Sequence, residues 1–62
     1  MRTKPGDIIR GCTAGGRIDP DLWVVDYING GRAHVTIKRR SRWHFPWKNF
    51  FRSWIIVEPK KQ

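Results

Sequence analysis

Asn29-Gly30, placed between two runs of strand-forming residues, is the feature that most limits how this 62-residue chain can fold. A two-residue hairpin turn of type I′ needs positive φ at both central positions, and Asn-Gly supplies such a pair. Before it lies Leu22 to Ile28 (LWVVDYI), a β-branched and aromatic run that reads as a strand. After it, Arg32 to Lys38 alternates: Ala33, Val35 and Ile37 fall on one face, and Arg32, His34, Thr36 and Lys38 on the other. A period of two means one buried face and one wet face. Gly31 leaves room for a bulge. The middle of the chain is therefore an antiparallel hairpin, and the rest must pack against it.

The flanks supply further short elements. Pro5-Gly6 sets a turn, Asp7 has a side chain suited to hydrogen-bonding the backbone there, and Ile8-Ile9 opens a strand. Gly11 to Pro20 (GCTAGGRIDP) reads as a loop, and Trp54 to Glu58 (WIIVE) as a last strand ended by Pro59. Between hairpin and last strand, Pro46 to Ser53 (PWKNFFRS) predicts one or two helical turns. Pro suits the first turn of a helix, and Trp47, Phe50 and Phe51 have the i, i+3, i+4 spacing of one helical face. Residues 1–62 form a single domain in this reading, with 1–4 and 59–62 as flexible basic ends. Four or five short strands left as an open sheet would expose both edges, and curling into a barrel removes them. The expected fold is mainly β: a small SH3-like barrel of four to five short antiparallel strands, with a short helical turn before the last strand. Its core draws on Ile8 or Ile9, part of Leu22–Ile28, Ala33, Val35, Ile37 and part of Ile55–Val57. Phe50 or Phe51 plugs the open end.

Pro5-Gly6-Asp7-Ile8-Ile9-Arg10, then Trp23-Val24-Val25, then Val35-Thr36-Ile37, resembles the KOW/Tudor class of SH3-like barrels over roughly residues 5 to 38. That resemblance implies a barrel that meets RNA or another protein. The PGD start and the Arg-Trp-x-Phe run at 42–45 are also similar in layout to small basic prophage-encoded proteins, which implies a phage origin.

Charge points to the partner. Thirteen Lys and Arg against five acids give a net charge of +8 and a pI near 10.9. That lies above the pI of about 9 that marks nucleic-acid-binding domains. From Tyr27 to Val57 there are seven basic residues and no acid, since the acids stand at 7, 19, 21, 26 and 58. Lys38, Arg39, Arg40, Arg42, Lys48 and Arg52 are the expected phosphate contacts, extended by Arg32 and His34 on the wet face of the hairpin. Trp43, set among the Arg residues, and Trp47 are candidates for stacking on bases or wedging between them. The alternative for both is packing on the barrel rim beneath Arg stems. PWKNFFRS is too short and apolar to act as a recognition helix in the major groove, so low sequence specificity is expected.

The first expectation is thus a small nucleic-acid-binding protein, for DNA or RNA, architectural or accessory to recombination. The alternative is a module that docks on host transcription or replication proteins. Trp/Arg-rich WHFPWKNFF also resembles membrane-active peptides, but such a peptide has no need of the hairpin. Oligomeric state is left open. A catalytic role is not expected: there are no paired carboxylates, no Walker spacing at Gly15-Gly16, and no base beside Ser41 or Ser53. Cys12 is the single cysteine, which excludes an intrachain disulfide and a cysteine-rich zinc site, so no metal or cofactor is expected. No apolar run follows MRTKPGD, so no signal peptide is expected and the setting is cytoplasmic.

Overall fold

The computed structural model describes residues 2–38 and 47–60. They form five strands: β1 (Ile8–Gly11), β2 (Trp23–Asn29), β3 (Arg32–Ile37), β4 (Lys48–Phe51) and β5 (Trp54–Glu58). All five belong to one antiparallel sheet in the order β4-β3-β2-β1-β5. β4 and β5 are the two edges of that sheet, yet only Arg52 and Ser53 separate them in the chain. The three Cα–Cα steps from Phe51 to Trp54 reach at most about 11 Å, less than the roughly 19 Å between the edges of a flat five-stranded sheet. The sheet therefore curls until the end of β4 lies beside the start of β5, in keeping with the small barrel expected from the sequence. The Cys12 N–H donates to the Ser53 carbonyl at 2.8 Å, which ties the end of β1 to the link between the edges.

The β2–β3 hairpin forms one residue later than the sequence suggests. Asn29 pairs with Arg32, and the central pair is Gly30-Gly31, with φ of +60° and +77°. Two glycines occupy positive φ without a Cβ penalty, whereas Asn at a central position carries one. β2 then contains a bulge: Val25 lies opposite Val35 but Tyr27 opposite His34, so Asp26 is the extra residue. The bulge keeps Val25 inside while both Asp26 and Tyr27 face outward.

Ile9, Trp23, Val25, Ala33, Val35, Ile37 and Phe51 form the buried core, with Trp54 and Ile56 packed partly against it. Trp23 and Phe51 meet edge to face, with ring centroids 5.6 Å apart. The Phe51 ring also lies directly over Gly11, where a Cβ would come within 2.1 Å of it. Gly11 is thus required by close approach, not by its backbone angle.

The expected helical turn does not form at the described residues 47–53, and no helix occurs among the described residues. Lys48–Phe51 is a strand, with Phe51 opposite Ala33, Phe50 opposite His34 and Lys48 opposite Thr36. A helix of one or two turns is poorly stabilised by itself, while a strand here satisfies the open edge of β3. Helical spacing would place both Phe rings on one face. Strand alternation separates them, leaving Phe51 7% exposed and Phe50 47%. Pro46, the proposed helix start, lies outside the described residues.

The two chain ends meet at Asp7, which is 2% exposed. Its carboxylate accepts the backbone N–H of Lys60 at 2.7 Å and that of Lys4 at 2.8 Å. Trp54 Nε1 donates to Thr3 Oγ1 at 2.6 Å, a second tie on the N-terminal segment. The sequence reading left 1–4 and 59–62 as flexible ends. Lys4 and Lys60 are both hydrogen-bonded, and residues 1, 61 and 62 lie outside the described residues. The Asp7 carboxyl is held below its ordinary value, first by the Lys60 N–H and then by the Lys4 N–H. Burial opposes the shift, and the charges of Lys4 and Lys60 add to it.

A lowered folded pKa means that the clasp contributes its full stability above the unfolded value of about 3.9. That contribution is lost as pH falls through the lower folded value. Thermal melts from pH 7 to pH 2 should show stability falling at the acid end. Asp7→Asn should lower Tm at pH 7 by several degrees and flatten that acid dependence. Gly11→Ala should destabilise by about 1–3 kcal/mol, the usual cost of overpacking. Shrinking the opposing ring in Gly11→Ala/Phe51→Leu should give a cost smaller than the sum of the single changes, read from denaturant melts of all three variants.

Candidate nucleic-acid interface

The outer face of β2, β3 and β4 collects the polar and aromatic side chains that the core excludes. Alternation along β3 turns Arg32, His34 and Thr36 outward, and along β4 it turns Lys48 and Phe50 outward. The β2 bulge adds Asp26 and Tyr27. Register then brings Tyr27, His34 and Phe50 into one row across three strands. Tyr27 and His34 stack with centroids 4.4 Å apart and planes 9° apart. His34 and Phe50 are 6.0 Å apart and tilted by 36°. The Arg32 guanidinium carbon stands 5.3 Å from the Phe50 ring centre, a cation–π contact. Tyr27, at 51% exposed, and Phe50 present much of their rings to water.

The adjoining row is polar. Thr36 Oγ1 donates to Asp26 Oδ2 at 2.6 Å, while Lys48 Nζ lies 3.1 Å from Thr36 Oγ1 and 3.5 Å from Asp26 Oδ2. An exposed pair of this kind contributes little to stability, about 0–1 kcal/mol. Its effect on the surface field is larger. The stretch from Tyr27 to Val57 holds no acid, but folding sets Asp26 against Lys48 and offsets that charge.

The structure brings three of the expected contacts together: Arg32 and His34 on the aromatic row, and Lys48 beside it. Lys38 is exposed just past the end of β3, where its N–H donates to the Leu22 carbonyl at 2.9 Å. Trp47 is half exposed and directly precedes β4, its carbonyl accepting the Ile37 N–H at 2.8 Å. Arg52 lies in the β4–β5 link, beside a shallow groove of about 430 Å³ lined also by Cys12, Thr13, Ala14, Phe50, Phe51 and Ser53. Arg39, Arg40, Arg42 and Trp43 fall outside the described residues. Among the described residues, no three His, Cys, Asp or Glu side chains gather as a metal site would need. No described helix is long and apolar enough to cross a membrane.

Tyr27 and Phe50 were not singled out from the sequence as surface groups. One signal was present: two adjacent Phe on a strand cannot both face inward, so reading KNFF as a strand would have exposed one. The β2 bulge that turns Tyr27 outward has no such signal in LWVVDYI.

The stacked geometry predicts that the His34 ring protons resonate upfield of those of a solvated histidine. Tyr27→Ala should return them toward the solvated position, as a ¹H–¹³C NMR spectrum would show.

No protein-family model, no curated protein and no solved structure matches this chain.

Proposed function

We propose that this protein binds nucleic acid with low sequence specificity, through the outer face of β2, β3 and β4 and the basic segments that adjoin it. The observation that carries the reading is the exposed aromatic row of Tyr27, His34 and Phe50 with Arg32 laid over one end, on a chain of net charge +8. Arg32, Lys38, Lys48 and Arg52 supply phosphate contacts, and Arg39, Arg40, Arg42 and Trp43, between β3 and β4, belong to the same basic stretch of chain. No recognition helix occurs among the described residues, and the affinity of this reading comes mostly from charge. The resemblance of residues 5–38 to KOW/Tudor barrels is compatible with RNA and equally with a protein partner. The role is binding, not catalysis.

A second reading has its own support. Ile55 and Val57 are half exposed and face outward on the edge strand β5, away from the aromatic row. An apolar edge of this kind suits a protein partner.

Fluorescence anisotropy with labelled duplex DNA, single-stranded DNA and RNA across a salt series tests the first reading. Binding in the micromolar range with a steep salt dependence is the expected result. Lys38→Ala and Arg52→Ala should each reduce the log–log salt slope by about 0.7–0.9. Asp26→Asn should tighten binding by removing the acid beside Lys48. Dissociation constants weaker than about 100 μM for every nucleic acid at low salt would overturn the reading and leave the β5 edge as the place to seek a protein partner.

A further inference from the structure

We infer that the β2–β3–β4 face takes the unpaired bases of a single nucleic-acid strand, stacked on Tyr27 and Phe50, with the strand's backbone passing on the Arg32 side. The inference rests on the nucleic-acid reading above and narrows it from a charged surface to a stacking platform.

Three observations carry it. The first is the cost of leaving these rings in water. Among the described residues the buried core is seven side chains, yet Tyr27 and Phe50 stay about half exposed outside it. The second is the open ring face of Tyr27. One side of the ring lies against His34, but β1 pairs with β2 only at Trp23 and Val24, so among the described residues no strand flanks Tyr27 on its other side. His34, held between two rings, sets them upright and apart. Tyr27 and Phe50 stand two strand spacings apart, about 10 Å. A base in a duplex has no free face to offer such a row, whereas an unpaired base does.

The third observation is where charge touches the row. Arg32 stands on the hairpin side, in contact with the Phe50 ring, while on the opposite side Lys48 shares its charge with Asp26 and Thr36. A phosphate close to the stacked bases therefore meets the Arg32 guanidinium, which no acid pairs among the described residues, before the paired Lys48. The guanidinium over Phe50 can itself stack on a base while its N–H groups reach a phosphate.

The test compares wild-type binding to four probes of equal length, about 12 nucleotides. They are oligothymidine, oligouridine, a blunt DNA duplex, and an abasic strand that keeps every phosphate and lacks the bases. The abasic strand loses both stacks and should bind about a hundredfold more weakly than either base-bearing strand, with the same salt slope. Tyr27→Val and Phe50→Val retain strand-forming side chains, and their folding is checked by circular dichroism. Each should weaken the base-bearing strands about tenfold and leave the abasic strand unchanged. The tighter of the DNA and RNA arms identifies the strand this face prefers. Equal affinity for abasic and base-bearing strands in the wild-type protein, which needs no variant to fold, would overturn the platform and leave a phosphate patch. Tighter binding to the duplex than to either single strand would overturn it as well. Failure to bind any of the four probes would instead overturn the nucleic-acid reading on which it rests.

Discussion

Arg52 and Ser53 are all that separate two strands lying at opposite edges of the sheet, and most of the structure follows from that short connection. The sheet has to curl, which gives it a concave inside and a convex outside. The inside is filled by the alternate residues of β3, by Trp23 and Val25 of β2, and by Ile9 of β1. Phe51, the last residue before the link, is carried across the opening onto Gly11, and its ring closes the end of the core. A larger residue at 11 would hold the end of β4 away from β1. The closure is therefore one contact between an aromatic ring and an absent side chain, backed by the Cys12–Ser53 hydrogen bond.

Asp7 performs the matching task near the chain ends. It is a buried acid in a strongly basic chain, and its two hydrogen-bond donors lie 56 residues apart in sequence, at Lys4 and Lys60. Its own backbone joins β2 as well: Asp7 accepts from the Val25 N–H at 2.9 Å, and the Gly6 N–H donates to the Val25 carbonyl at 2.8 Å. Removing the carboxylate would leave buried N–H groups without an acceptor, which costs more than the bond itself contributes. The net positive charge gives the fold a further reason to keep this acid, since self-repulsion among thirteen cations opposes compaction.

The parts of this fold legible in the sequence are those decided locally. The hairpin follows from turn chemistry, and the inner face of β3 follows from the clean alternation of Ala33, Val35 and Ile37. Asp7 as a backbone acceptor follows from its place after Pro-Gly. The misreadings come from decisions made elsewhere in the chain. Trp47, Phe50 and Phe51 have helical spacing, and only the vacant edge of β3 makes that segment a strand. The turn centre moves by one residue because Gly30-Gly31 competes with Asn29-Gly30, and sheet register decides between them. The bulge at Asp26 exists because both Val25 and Val35 are held in the core, which no window around Asp26 reveals. Of the candidate site, Arg32, His34 and Lys48 were legible from alternation and charge. The aromatic row was not, because it is a product of register across three strands.

The same convexity that closes the core shapes the candidate site. On a convex face, outward side chains splay apart unless something holds them, and here His34 lies between Tyr27 and Phe50 and keeps the row together. Charge on the same surface is uneven: Arg32 lies against Phe50, while Lys48 is paired with Asp26. A solvated basic face would not need the row. The outward turn of Tyr27 comes from the bulge, the bulge from the packing of Val25, and that packing from a sheet that must curl to join its own edges. The exposed rings are thus set by the β2 bulge and by alternation along β4, and the chemistry proposed for them uses side chains that the core leaves outside.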